Sequence, residues 1–160
     1  MSAQVRLAYV TLDVFTTKRF TGNPLGVVRL PPGQCLTQVQ KQDIAREFNY
    51  SETIFIHETE DQAAEHRVDI FKVDAELPFA GHPTIGAAWL LAITQSSSSD
   101  CRINRKIITK AGPIPYKFDT IRKMAFIEVP CDVHVHKHEV SPEEAADRKS
   151  TRLNSSHQYY

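Results

Sequence analysis

Gly81-His82-Pro83-Thr84-Ile85-Gly86-Ala87-Ala88-Trp89-Leu90-Leu91-Ala92-Ile93 decides the fold. From Ile85 onward no position is polar, so the segment has no face to offer to water. A helix that is apolar all round must be surrounded by protein, and one this short belongs in the middle of a curled sheet. It is also far shorter than the roughly 20 residues a bilayer-spanning helix needs. The opening turn is informative too. Proline at a helix's first position wastes no hydrogen bond, and the glycine ahead of it lets a ligand approach the backbone closely. Amides exposed at such a terminus, with the helix dipole behind them, attract a carboxylate or a phosphate.

Working outward, Val5 to Phe15 and Leu25 to Leu30 are rich in β-branched and aromatic residues and read as strands. Pro31-Pro32-Gly33 stops the second. Thr37 with Gln40 three residues on forms a capping box, which predicts a helix over Gln38 to Phe48 with Val39, Ile44, Ala45 and Phe48 as its apolar positions. Thr53 to His57, Arg67 to Val73, Arg102 to Lys110, Ile114 to Phe118 and Met124 to Val129 read as further strands. Glu58 to Gln62 is an acidic hairpin loop, Gln95 to Asp100 a polar loop, and Ala111-Gly112-Pro113 and Asp119-Thr120 are turns. The expected class is α/β (α+β): a curled, mostly antiparallel sheet wrapped around a central apolar helix, without internal repeats. Residues 1–140 form this domain. Ser141-Pro142-Glu143-Glu144 then starts a helix strongly, but Ala145 to Lys149 adds barely one turn before apolar periodicity disappears. Residues 141–160 therefore read as a truncated helix stub and a tail foreign to the fold.

At 160 residues the chain is long enough for one domain with its own core. Nineteen Lys and Arg balance nineteen Asp and Glu, which argues against a nucleic-acid partner, since phosphates demand a basic excess. Hydrophobic residues at 41% and charged residues at 24% are ordinary for a globular domain and argue against wholesale disorder. Cys35, Cys101 and Cys131 form no C-x-x-C pair and read as buried apolar fillers, not as a disulfide framework or a zinc site. The first residues lack the pattern of a signal peptide, so a cytoplasmic location and no membrane partner are expected.

His82 stands at the rim of the apolar helix, where it could hydrogen-bond a substrate or shuttle a proton. A capped helix start with a structural histidine explains that turn equally well. Glu52, in Asn49-Tyr50-Ser51-Glu52-Thr53, sits between a helix end and a strand start with small hydroxyl residues on either side to orient it. That suits a general acid/base, although a solvated turn glutamate is the simpler reading of this segment alone. Asn23, in Gly22-Asn23-Pro24, carries an amide that both donates and accepts, in what is otherwise an ordinary turn. His134, His136 and His138 alternate and would project from one strand face, the runner-up chemistry being a three-histidine metal site. Such side chains point outward in parallel instead of converging, so no metal site is assigned.

Together these pieces resemble the PhzF-like family of phenazine biosynthesis. The residues that carry the resemblance are Asp13-Val14-Phe15, Phe20 to Pro24, Ile44 to Phe55 and Glu76 to Ala88, in matching order and spacing, over roughly residues 5–147. The resemblance implies a diaminopimelate epimerase-like fold, in which two similar halves each curl a sheet around a helix and the active site lies between them. It implies an isomerase working by proton transfer on a small carboxylated metabolite, with no metal or organic cofactor; the type member isomerises trans-2,3-dihydro-3-hydroxyanthranilate. It implies that Glu52 is the catalytic acid/base, that Gly81, His82, Pro83 and Thr84 bind substrate, and that Asn23, Ser51 and Thr53 line the cleft. Members are nearly twice as long, and their second half faces the glutamate with another glycine-rich helix start. The chain is therefore expected to be an N-terminal half with weak or no activity alone. The alternative is a non-catalytic half-domain that binds a ligand, forms a homodimer or pairs with a full-length homologue.

Overall fold

The computed structural model describes residues 6–60, 65–95 and 102–129. All of them fall within one compact unit, Met1–Pro130. Strand β1 (Ala8–Val14) runs antiparallel to β2 (Asn23–Leu30), and β2 runs parallel to β3 (Glu52–His57) after the crossover helix α1 (Gln38–Phe48). Then β3 pairs antiparallel with β4 (His66–Phe71), which carries the two-residue β5 (Glu76–Leu77) at one end. After helix α2 (Gly81–Gln95) comes β6 (Arg102–Thr109), parallel to β4, followed by the antiparallel strands β7 (Gly112–Asp119) and β8 (Met124–Ile127). The result is a mixed, curled sheet in the order β1-β2-β3-β4-β6-β7-β8, antiparallel except at β2–β3 and β4–β6.

The two helices lie on opposite faces of the strands, and strand alternation sorts the residues between them. Leu25, Val27, Ile54, Ile56, Val68 and Ile70 join Ala87, Ala88, Leu91 and Ala92 of α2 in one buried cluster, closed from the far strands by Ile107, Tyr116 and Phe118. Helix α2 touches β1, β2, β3, β6, β7 and β8. A methyl group on Gly86 would come within 2.5 Å of Leu25 Cδ2 and 3.0 Å of Val14 Cγ2, so α2 lies close enough to the sheet that a larger residue there would push these side chains aside. Val28, Leu30, Phe55 and Phe71 point the other way and pack with Ala45 of α1, with Phe55 and Phe71 edge to face at 5.5 Å.

Helix α1 begins as its capping box dictates: Thr37 Oγ1 accepts from the Gln40 amide, and Gln40 Oε1 accepts from the Thr37 amide at 2.9 Å. Its apolar positions are less faithful. Val39 is 69% exposed, whereas Lys41 is buried because its ammonium reaches Asp69 of β4 at 2.5 Å. The turn expected at Ala111-Gly112-Pro113 is tighter, since Gly112 and Pro113 already pair with Thr109 and Ile108. Gly112 adopts a φ of 118°, a region a side chain would obstruct. Asn23 and Pro24 likewise belong to β2, not to the loop before it. Cys35 is exposed, which corrects its reading as a buried filler; it lies in the turn before α1, with no core to enter. Cys101, Cys131, the histidines at 134, 136 and 138 and the helix expected from Ser141 lie outside the described residues. No helix among the described residues is long and apolar enough to cross a membrane.

Candidate active site

Three chain segments separated in sequence meet where β2 and β3 begin and α2 starts. Asn49 ends α1 in the left-handed conformation at a φ of 53°, its amide bonded to the Ala45 carbonyl, and this reversal delivers Glu52 to the first position of β3 with Ser51 just ahead of it. Glu52 stands opposite Leu25, two residues into β2 from Asn23. By strand alternation its side chain points to the same face as Ile54 and Ile56, toward α2.

There Glu52 meets His82, with Oε2 2.9 Å from Nδ1. The pair is sheltered, with side chains 19% and 10% exposed. The Ser51 hydroxyl donates to the same Oε2 at 2.6 Å. The other imidazole nitrogen, Nε2, lies 3.2 Å from the main-chain carbonyl of Asn23. The structure thus brings Asn23, Ser51, Glu52 and His82 together, and it uses the backbone of Asn23 where the sequence suggested its amide side chain.

The helix start differs in detail from expectation. Thr84 donates its amide to Ala80, so Gly81 is the first helical residue and Pro83 the third. Pro83 still wastes nothing, because the first-turn amides have no partner within the helix. The Thr84 hydroxyl bonds back to the Ala80 carbonyl at 2.7 Å and Thr84 is fully buried, so it serves the helix end. Gly81 is unusual: a methyl group there would meet no atom within 4 Å, and its φ is not positive. Neither crowding nor backbone conformation within the described residues demands glycine at that position.

Thr53 does not join this group. It is the next residue along β3 and faces the α1 layer, fully buried beside Gly26 and Phe48, its Oγ1 without a hydrogen-bond partner. The cause is the two-residue period of a strand, which sends Glu52 and Thr53 to opposite faces.

One neighbour of the site and one cluster away from it escaped sequence reasoning. Phe15 holds a φ of 64°, uncommon for a bulky residue, and its ring lies 6.1 Å from the His82 ring. The loop behind it is tied down by Asp13, whose Oδ2 accepts from the Phe20 amide at 2.7 Å. On the opposite face, Lys41 and Asp69 form a buried ion pair that the half-buried His57 joins, its Nε2 2.6 Å from Asp69 Oδ2. Burial pushes the Asp69 carboxyl up, but its bonds to His57 and Lys41 and their charges outweigh this and hold it well below the usual carboxylate range. Among the described residues no group of three His, Cys, Asp or Glu side chains is placed to hold a metal ion.

The phenazine biosynthesis-like protein family model matches residues 12–159, and the chain belongs to that family. The match continues beyond Asp147, where the motif-level resemblance stops. Among curated relatives, an uncharacterized isomerase from Pasteurella multocida is 52% identical over 84 residues, covering 52% of this chain and 28% of its own length. The trans-2,3-dihydro-3-hydroxyanthranilate isomerase of Pseudomonas aeruginosa is 33% identical over 113 residues, 69% of this chain and 37% of that protein. In structure the chain is similar to a predicted epimerase from Pseudomonas aeruginosa, with a TM-score of 0.60, 32% identity and coverage of 71% of this chain and 38% of the other. A PhzF-family protein from Bacillus anthracis also gives a TM-score of 0.60, at 29% identity, covering 77% of this chain and 40% of the other. The chain spans about a third of the length of the curated relatives it matches.

Proposed function

We propose that this chain carries the acid/base half of an isomerase site that moves a proton on a small carboxylated metabolite. The observation that carries this reading is the sheltered Glu52–His82 pair, 2.9 Å apart, at the start of α2. Glu52 takes a proton from substrate carbon and returns it to another position. The substrate carboxylate sits against the amides of Gly81 and His82, where the positive end of α2 also offsets the negative charge left when the C–H bond breaks. The open space at Gly81 is what such an approach requires. Proton transfer of this kind asks for acid/base groups and a dry, electropositive pocket, and calls for no metal or organic cofactor. The sheet curled around α2 as its central helix supplies the rigid frame of one half, and a second half-site encloses the substrate from the other side; the alignments, which take in 28% and 37% of two relatives' lengths, leave room for it in those proteins.

Deuterium incorporation into small unsaturated or α-substituted carboxylic acids in heavy water, followed by NMR, tests the reading. Wild-type chain complemented with a separately supplied second half is expected to wash deuterium into its substrate, the chain alone weakly or not at all, and Glu52→Gln to slow the complemented reaction by about 10²–10⁴-fold. Equal wash-in by the variant would remove Glu52 from the chemistry.

A second reading, a non-catalytic half that pairs with a homologue, draws on the exposed apolar side chains Phe20 (91%), Ile121 (79%) and Phe15 (67%). It predicts a concentration-dependent dimer by sedimentation, and a stable monomer counts against it.

A further inference from the structure

We propose that Glu52 and His82 hold one proton between them as a coupled pair, and that the main-chain carbonyl of Asn23 decides which imidazole nitrogen takes part. The inference deepens the acid/base reading of Glu52 and rests on it for its catalytic meaning, though not for its geometry.

A carbonyl oxygen only accepts, so Nε2 of His82, 3.2 Å from Asn23 O, carries a hydrogen. A neutral imidazole has a single N–H. With that hydrogen committed to Asn23, Nδ1 of the neutral ring is a bare lone pair, and 2.9 Å away stands Glu52 Oε2. An unprotonated carboxylate and a bare nitrogen repel at that distance, the more so in a pair whose side chains are only 19% and 10% exposed. One proton therefore lies between them. It sits on Nδ1, giving an imidazolium facing a carboxylate, or on Oε2, giving a carboxylic acid facing neutral imidazole. Exchange between the two states breaks the Nδ1–H bond, leaves its electron pair on nitrogen and forms the O–H bond, while the net charge of the pair stays zero. The Ser51 hydroxyl, donating to the same Oε2 at 2.6 Å, favours the carboxylate and so the proton on Nδ1.

The consequence for catalysis is a base that is ionised yet neutralised. When Glu52 accepts a proton from carbon, His82 keeps its own, and the pair becomes singly positive beside the carbanion it has created. Asn23 acts through His82 and is a positioning residue. Its carbonyl is set by the β1–β2 register, in which Asn23 pairs with Val14, and so cannot be removed by changing its side chain.

The test is a long-range proton–nitrogen NMR correlation of the His82 ring in the full 160-residue chain at pH 7. Nε2 is expected to carry a hydrogen in wild type and in Glu52→Gln alike. The Nδ1 signal should lie toward the protonated range in wild type and move to the bare-nitrogen range in Glu52→Gln. Ser51→Ala keeps both partners and should move Nδ1 part of the way in the same direction. A hydrogen on Nδ1 with Nε2 bare, or an Nδ1 signal that neither substitution moves, would overturn the proposal. Deuterium wash-in by the same samples complemented with a separately supplied second half separates the two readings: its absence with the expected nitrogen pattern discards the chemistry and keeps the pair.

Discussion

Lys41 on α1 and Asp69 on β4 form an ion pair of 2.5 Å, with side chains only 8% and 5% exposed. Removing one partner of such a pair strands the other in a low-dielectric interface, which costs about 3–5 kcal/mol. Asp69→Asn keeps the shape and some hydrogen bonding, so a loss near 3 kcal/mol at pH 7 is expected in urea unfolding. The pH dependence has a definite sign. Because Asp69 is held below its ordinary value, the folded chain takes up its proton less readily than the unfolded chain does. Its contribution is complete above the ordinary aspartate value of about 4 and is lost as pH falls through the lower, folded value. The gap between wild type and Asp69→Asn should therefore stay open down to about pH 4 and narrow only in stronger acid. A gap already closing by about pH 6 would contradict this assignment.

This cluster was not legible in the sequence. Lysine at the fourth position of an amphipathic helix reads as a solvated residue, and only the crossover of α1 onto β4 reveals the aspartate that justifies its burial. What was legible was local. The capping box fixed the start of α1, and the all-apolar run marked α2 as a helix packed into the core, although Ile93 stays 37% exposed. Glu52 and His82 could each be picked out by residue type and setting, but their meeting across thirty residues depends on the parallel β2–β3 pairing, which no short-range signal encodes. Thr53 is a different kind of miss. The sequence reads as a strand from Thr53, with Glu52 at the junction before it; only with Glu52 inside β3 does the period of two send Thr53 to the other face.

Gly22 couples the loop to the site. A methyl group there would lie 2.5 Å from the Val14 carbonyl oxygen and 2.9 Å from the Asp13 carbonyl carbon, both backbone atoms that cannot rotate away. Gly22→Ala must move the chain that carries Asn23, whose carbonyl holds His82. A loss of about 1–3 kcal/mol is expected in thermal or urea unfolding, together with a changed His82 ring signal. An unchanged ring signal in a destabilised variant would mean that the loop absorbs the strain before it reaches Asn23.

Gly81 gives the opposite expectation, and it separates folding from function at a single position. Its φ is not positive, and a methyl group would meet no atom within 4 Å, so Gly81→Ala removes backbone freedom from the unfolded chain without a clash in the folded one. Stability should rise by about 0.4–1 kcal/mol, as for other compatible Gly→Ala changes. If the space over Gly81 admits a substrate carboxylate, the same methyl obstructs it, and carboxylate binding followed by NMR titration should weaken at least tenfold while the Glu52–His82 signals stay in place. A variant that gains stability and binds carboxylates as well as wild type would show that the anion docks elsewhere, because nothing else among the described residues calls for glycine there.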